Sequence, residues 1–176
     1  RTGATVQHAG DWALVLQADR AADLTASPRR IALVLRESAL EETQWGYLEA
    51  VERLLEGLRA RGHEPFWLPF CPEDERFLGE VALCAAAPLE RCWWNPRRMK
   101  QILATSAAVV SVGRLHPLVF AATTGTPAVS LAIPGRPPGT QPGKLHDLCV
   151  ELGIAEAATV PEALTLFDGG LPPRPD

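Results

Sequence analysis

The feature that constrains the fold most is the segment 107–122, in which a short apolar run leads directly into a helical pattern. Residues 107–112 are small or β-branched and uncharged, as a strand covered on both faces requires. Gly113 ends this run. Because Pro117 disfavours helical geometry in the residue before it, the following helix is predicted to begin at Pro117. Its apolar residues then recur at helical spacing: Leu115, Leu118, Val119 and Ala122.

Arg114 and His116 fall in the turn between the carboxyl end of this strand and the amino end of this helix. Ligands of open α/β sheets bind at such turns, and the free N–H groups of a helix amino end favour an anion there. An arginine can hold phosphate or carboxylate through two hydrogen bonds, and a histidine can move a proton near neutral pH. A salt-bridged surface arginine and a structural histidine fit the position equally well.

The remaining pattern predicts further strand–helix units. Strands are predicted at residues 31–35, 63–70, 107–112 and 127–131, with a short strand and a final helix within 159–167. Helices are predicted from about Ala39 to Gly62, from Pro72 to Pro88, over 97–105 behind an Asn95 cap, and from Lys144 to Gly153. Five or six such units indicate an α/β domain with a doubly wound, Rossmann-like parallel sheet. The domain is predicted to span 29–168, between a linker (1–28) and a frayed tail (169–176).

Arg36 occupies the same kind of position as Arg114, directly after a predicted strand and before a predicted helix. Parallel strands of one sheet place such turns at the same edge. The two arginines are therefore predicted to face one anionic ligand. A salt bridge from Arg36 to Glu37 or Glu41 is the competing interpretation.

Composition limits the classes of function. The chain has 176 residues, of which 47% are hydrophobic, and this suffices for one domain with a real core. The net charge of −4 argues against a nucleic-acid partner. The four cysteines form no CxxC pair, which argues against zinc and a disulfide framework and favours reduced thiols in the cytoplasm. The sequence shows no membrane-spanning run or signal peptide, and it lacks dinucleotide, Walker and nucleophile-elbow motifs.

The order Ser-Val-Gly-Arg-Leu-His-x-Leu-Val-Phe-Ala-Ala-x-x-Gly-x-Pro-Ala-Val-Ser-Leu resembles the polysaccharide pyruvyl transferase family, in particular its CsaB branch. The resemblance covers about residues 30–155 and is concentrated between Gly113 and Pro127. It implies the C-terminal lobe of a two-lobe, GT-B-like enzyme. Residues 1–28 would then be the crossover from a missing N-terminal lobe.

The resemblance also implies an activity. Such enzymes transfer pyruvate from phosphoenolpyruvate to two hydroxyls of one sugar, as a cyclic ketal, with release of phosphate. The acceptor is a sugar or a lipid-linked oligosaccharide of a cell-wall polysaccharide, as in S-layer anchoring, and no metal or cofactor is implied. By resemblance, Arg36, Arg114, Leu115 and His116 hold phosphoenolpyruvate. His116 acts as general acid or base, with the proton it moves left open, and Lys144 contacts phosphate or is an exposed lysine.

The chain departs from the family in the segment 134–143. The tyrosine and aspartate of the usual Tyr-Asp-Pro-Lys pattern are absent, and Lys144 still stands at the start of the next predicted helix. The identity of the acceptor therefore stays open. Two other functions remain possible: a nucleotide-sugar-binding lobe of a GT-B glycosyltransferase or epimerase, and a non-catalytic anion-binding module.

Some further residues have a structural and a functional interpretation. Of Trp93 and Trp94, one could line a sugar cleft, although packing in the core or between lobes is favoured. A basic cluster of Arg97, Arg98 and Lys100 is interpreted as a solvated helix face, with attraction of an anionic substrate as the alternative. His63 and His146 are interpreted as structural.

Overall fold

Five parallel strands form the centre of the protein. The computed structural model describes residues 16–18, 26–36, 44–81, 83–132 and 143–171. The strands are β1 (Arg30–Leu35), β2 (Glu64–Trp67), β3 (Ala108–Val112), β4 (Ala128–Leu131) and β5 (Ala155–Ala157). They are arranged in the order β2-β1-β3-β4-β5, and every neighbouring pair is parallel. The predicted α/β fold with a doubly wound parallel sheet is confirmed.

Helices cover both faces of this sheet. They are α1 (Gln44–Ala60), α2 (Pro72–Glu80), α3 (Pro96–Ala104), α4 (His116–Thr124), α5 (Gly143–Leu152) and α6 (Val160–Asp168). One hydrophobic cluster joins α1, α2 and α6 to the sheet, and a second joins α3 and α4 to the opposite face. Along β1 the side chains alternate between them, with Leu33 in the first cluster and Val34 in the second. This alternation follows from the two-residue period of a strand.

The chain order reverses between β1 and β3. Because β2 lies on one side of β1 and β3 on the other, the connections leave the carboxyl ends of β1 and β3 in opposite directions and open a crevice there. Leu35 is paired with Val112, so both strands end at the same level. The carboxyl edge of the sheet at β1 and β3 is called the switch-point edge below.

Several predicted boundaries need correction. Helix α2 ends at Glu80, and Leu83–Ala85 forms a separate 3-10 turn instead of continuing the helix to Pro88. The final strand is Ala155–Ala157, because Thr159 caps α6 by accepting a hydrogen bond from the Glu162 N–H at 3.3 Å. The predicted helix start near Ala39 and the loop residues 134–142 lie outside the described residues.

Other predicted boundaries lie closer to the observed ones. Helix α4 begins at His116, one residue before the predicted start, since a proline at the second helical position also costs no backbone hydrogen bond. The strand predicted over 63–70 is confined to Glu64–Trp67 at the edge of the sheet, where Pro65 is tolerated. Gly62, with φ +79°, ends the connection after α1 as predicted.

Lys100 is not on a solvated face, contrary to the sequence interpretation. It is 4% exposed, its Nζ donates to the Leu16 carbonyl at 2.5 Å, and it lies 5.7 Å from the centre of the Phe120 ring. Burial lowers the pKa of Lys100. The lysine thus ties the segment at Leu16 to the α3–α4 face. Within the described ranges, no helix has the length and apolar character needed to cross a bilayer.

Candidate functional site

The turn between β3 and α4 is held by its own backbone. Gly113 adopts φ +70°, a left-handed conformation that glycine takes without strain, and this redirects the chain out of the sheet. The buried Ser111 hydroxyl donates to the Arg114 carbonyl at 2.7 Å. The Leu115 carbonyl then accepts from the N–H groups of Leu118 and Val119 at 3.0 and 3.2 Å. These contacts hold the backbone of Arg114, Leu115 and His116 without the help of a ligand.

The Arg114 side chain is anchored in an ion pair. Its Nη2 donates to Asp74 Oδ1 and, at 3.0 Å, to the sulfur of Cys71. Asp74 is 1% exposed, and its second oxygen accepts from the Phe70 N–H at 3.2 Å. As the third residue of α2, Asp74 folds back over the amino end of that helix, where the dipole favours a negative charge.

The contacts of Arg114 stabilise its charged form. Burial opposes that form, but the hydrogen bonds and charges of Asp74 and Cys71 together outweigh burial and raise the pKa of the guanidinium. Asp74 compensates the positive charge of Arg114. An anion at this edge would therefore meet the parts of the guanidinium that Asp74 does not occupy, together with the amino end of α4.

Two buried polar atoms lie in or beside the pair. Arg114 Nε forms no hydrogen bond with the described residues, and the Tyr47 hydroxyl contacts the backbone of Arg36. Tyr47 lies on α1 and is fully buried, and its pKa is raised well above the usual range by burial and further by the Asp74 carboxylate. The phenol is consequently neutral at any physiological pH.

The structure brings four of the predicted site residues to the switch-point edge. Arg36 follows β1 directly and is half-buried, and Arg114, Leu115 and His116 follow the neighbouring strand β3. His116 is exposed as the first residue of α4, and Leu115 packs between the clusters beneath α3, α4 and α5. Lys144 is exposed in the first turn of α5, after β4 and thus one strand further along the sheet. The alternative partners of Arg36, Glu37 and Glu41, lie outside the described residues.

Sequence reasoning missed Asp74 and Cys71. By position alone, the acidic residues at the start of α2 suit the positive amino end of the helix dipole, and one of them is also the buried partner of Arg114. A usable signal was present, because α2 follows β2, and the turn after β2 leaves the same sheet edge as the turn after β3. Opposite charges in two such turns are candidates for pairing.

Trp93 and Trp94 lie in the turn before α3, and only Trp93 is packed against the core. Trp93 packs against the α3–α4 cluster, and its indole N–H donates to Glu75 Oε2 at 2.8 Å. Trp94 is 63% exposed. Core packing thus holds for Trp93 and not for Trp94, and packing of Trp94 between lobes stays a prediction.

A cavity of about 330 Å³ lies at the opposite, amino edge of the sheet and is lined by Arg30, Arg59, His63 and Phe66, among others. Its cations are already engaged: Arg30 pairs with Glu90 at 2.7 Å and covers the Phe66 ring at 4.2 Å, and Arg59 donates to a backbone carbonyl. Within the described ranges, no cluster of three or more His, Cys, Asp or Glu side chains is arranged to hold a metal ion.

The other predicted structural histidines make contacts of their own. His63 packs edge-on against Phe167, with ring centres 5.4 Å apart, and burial followed by the charge of Arg61 lowers its pKa. His146 contacts Glu156 at 2.7 Å on the surface.

Comparison with known proteins adds no assignment. No protein-family model matches the chain, and no curated protein matches it. What the chain can be said to do therefore rests on the switch-point edge and its residues.

Proposed function

We propose that this chain is the C-terminal lobe of a polysaccharide pyruvyl transferase and carries its phosphoenolpyruvate site. One observation supports this most directly. Arg36 and the Arg114-Leu115-His116 turn leave adjacent parallel strands at the switch-point edge, where the amino end of α4 also lies. Two cations and a helix amino end suit a small ligand that carries both a phosphate and a carboxylate.

The role of Arg114 in this proposal is shaped by Asp74. Asp74 and Cys71 both contact Nη2, so the guanidinium is held in one orientation and donates to the ligand from its remaining edge. Such preorganisation stabilises charge that develops in the transition state without a cost of reordering the side chain. Arg36 supplies the second positive charge.

The chemistry assigned to His116 is proton transfer. In ketal formation, one sugar hydroxyl adds to C2 of the enolpyruvyl group while its methylene carbon gains a proton. The second hydroxyl then displaces phosphate at C2, and its proton leaves with the phosphate. His116 is exposed at the first position of α4, within the same turn as Arg114, so it is placed to carry one of these protons. The acceptor is a sugar or lipid-linked oligosaccharide.

Calorimetric titration of phosphoenolpyruvate tests the proposal, with UDP as the competing ligand. Phosphoenolpyruvate is expected to bind more tightly than UDP, and Arg114→Ala is expected to abolish binding. Arg61→Ala is the matched control, because it removes the same charge in the turn before β2, at the opposite edge of the sheet. Preference for UDP would instead indicate a nucleotide-sugar lobe. Binding of neither ligand would contradict a donor site on this lobe.

The Asp74–Arg114 pair favours a second candidate, a non-catalytic anion-binding module in which Arg114 is structural. In that case Arg114→Ala would lower the stability of the fold but leave anion binding in place, while Arg36→Ala would abolish anion binding. Release of phosphate from phosphoenolpyruvate in the presence of acceptor sugars would argue against this candidate.

A further inference from the structure

Trp94 is a large aromatic side chain left in solvent. In the described part of the chain, the exposed large hydrophobic residues are Trp94, at 63%, and Val150, at 68%. Val150 is an aliphatic side chain on α5. Trp94 exposes a planar aromatic ring, which can supply a large contact area to a ligand.

The ring of Trp94 stands on a rigid support. Its neighbour Trp93 meets it edge-to-face, with ring centres 5.4 Å apart and planes at 86°. Glu75 holds Trp93 through its indole N–H at 2.8 Å and is itself bound by Arg91 at 2.7 Å. Because an edge-to-face contact occupies at most one face of a ring, and Trp94 is 63% exposed among the described residues, a face of its ring is open to solvent in this part of the chain.

The backbone around Trp94 is also fixed. The Asn95 N–H donates to the Cys92 carbonyl at 2.8 Å, which closes the turn. The Asn95 side chain then caps α3 by accepting from the Arg98 N–H at 3.0 Å. A side chain mounted in this way loses little conformational entropy when a ligand binds.

This aromatic pair lies at the same edge of the sheet as Arg114. Consecutive residues in the first turn of α2 make the connection, since Asp74 binds Arg114 and Glu75 binds Trp93. Trp93 and Leu115 also pack against the same hydrophobic cluster. Adjacent residues of one helix thus contact the aromatic pair and the candidate anion site.

We propose that Trp94 is a stacking platform for a pyranose ring of the sugar acceptor. The inference rests on the proposed function, which supplies the sugar as substrate. The apolar C–H face of a pyranose packs on the π face of an indole, which is electron-rich. The platform would place a sugar beside the donor site and would recognise it by shape, with little demand on its hydroxyl pattern.

The test uses the indole N–H signals of the protein in ¹⁵N NMR, which number five for five tryptophans. Methyl β-galactopyranoside, methyl β-glucopyranoside and methyl α-mannopyranoside are titrated separately, and Trp94→Phe assigns the Trp94 signal. At least one pyranoside is expected to shift this signal. In the Trp94 variants, which lack this signal, binding is followed at the indole N–H of the neighbouring Trp93. Trp94→Ala should weaken binding by roughly threefold to tenfold, Trp94→Phe by less, and Val150→Ala should leave it unchanged.

The outcomes separate this proposal from the one on which it rests. A Trp94 signal that responds to none of the three sugars, or sugar binding that Trp94→Ala does not weaken, overturns the platform. Phosphoenolpyruvate binding in Trp94→Ala, measured by calorimetry, should equal that of the unaltered protein. Loss of sugar binding with retained phosphoenolpyruvate binding supports the platform, whereas shifts at Trp94 without phosphoenolpyruvate binding identify a sugar site and contradict the donor site.

Discussion

Among single residues, Arg114 has to satisfy two requirements. Its charge must be compensated where it is three-quarters buried, and it must still present donors at the switch-point edge. Asp74 meets the first demand from an adjacent turn, with its own second oxygen bound by the Phe70 N–H. The pair is therefore a structural unit as well as a candidate part of the site.

Removal of one partner of this pair is expected to be costly. Asp74→Asn or Arg114→Met leaves a charge without compensation, and each should lower the free energy of unfolding by about 3 kcal/mol. The double variant should lose less than the sum of the two, because neither charge is then left alone. Urea unfolding of the four proteins measures this coupling.

The exposed pair of Arg61 and Asp168 provides the control, with side chains 30% and 53% exposed. The same cycle there should give a much smaller coupling than at the buried pair, since water screens the exposed charges. Additive losses at Asp74 and Arg114 would show that the buried pair is not coupled.

Among the elements, the turn between β3 and α4 is closed by one side-chain hydrogen bond. Ser111 on β3 donates to the Arg114 carbonyl, and Ser130 is its paired residue on β4. Both serines are nearly fully buried, but the Ser130 hydroxyl forms no hydrogen bond to the described backbone. The two positions thus differ in the one interaction that closes the turn.

We expect Ser111→Ala to lower the free energy of unfolding by about 1 kcal/mol, because the Arg114 carbonyl loses its partner. Ser130→Ala should change it by less, since the hydroxyl has only its contact with the weakly hydrogen-bonding Cys149 thiol to lose. If the turn orients the donor site, Ser111→Ala should also weaken phosphoenolpyruvate binding and Ser130→Ala should not. Denaturant unfolding and calorimetry on both variants decide this, and equal effects of the two would refute the role of the turn.

At the scale of the whole molecule, the only tyrosine of the chain reports on global stability. Tyr47 joins α1 to the core beside Asp74, and its pKa is raised by burial, so the folded protein keeps this phenol protonated in alkali. The unfolded chain loses the proton above about pH 10. Because the folded state then holds more protons, stability falls as the pH rises through this range.

Alkaline titration followed by tyrosinate absorbance and circular dichroism tests this linkage. The phenol is expected to ionise only as the protein unfolds, so that the two signals change together. Tyr47→Phe loses the contact of the hydroxyl with the Arg36 backbone and should be less stable than the unaltered protein by about 1 kcal/mol at pH 7, but its stability should fall less above pH 10. Ionisation at pH 10 with unchanged circular dichroism would show that Tyr47 is accessible in the folded state.

The sequence predicted much of the fold because the signals are local. The uncharged run before Gly113 indicated a doubly covered strand, and Asn95-Pro96 located the start of α3 within one residue. Predicted boundaries were wrong where the apolar pattern continues past the end of an element. After Glu80 the apolar pattern still favours a helix up to Leu83, but the helix ends at Glu80 and a 3-10 turn follows.

What the sequence determined by itself is the α/β class, the strand–helix units, and the placement of Arg36 and Arg114 after two of the strands. These follow from hydrophobic period, glycine, proline and capping residues, each acting over a few positions. The tertiary structure was needed to show that the strands of these arginines are neighbours and that Asp74 pairs with Arg114 across 40 residues. It was also needed to show that Lys100 is buried and Trp94 exposed. Such contacts join residues distant in the chain, and burial of a polar group depends on partners that no local pattern specifies.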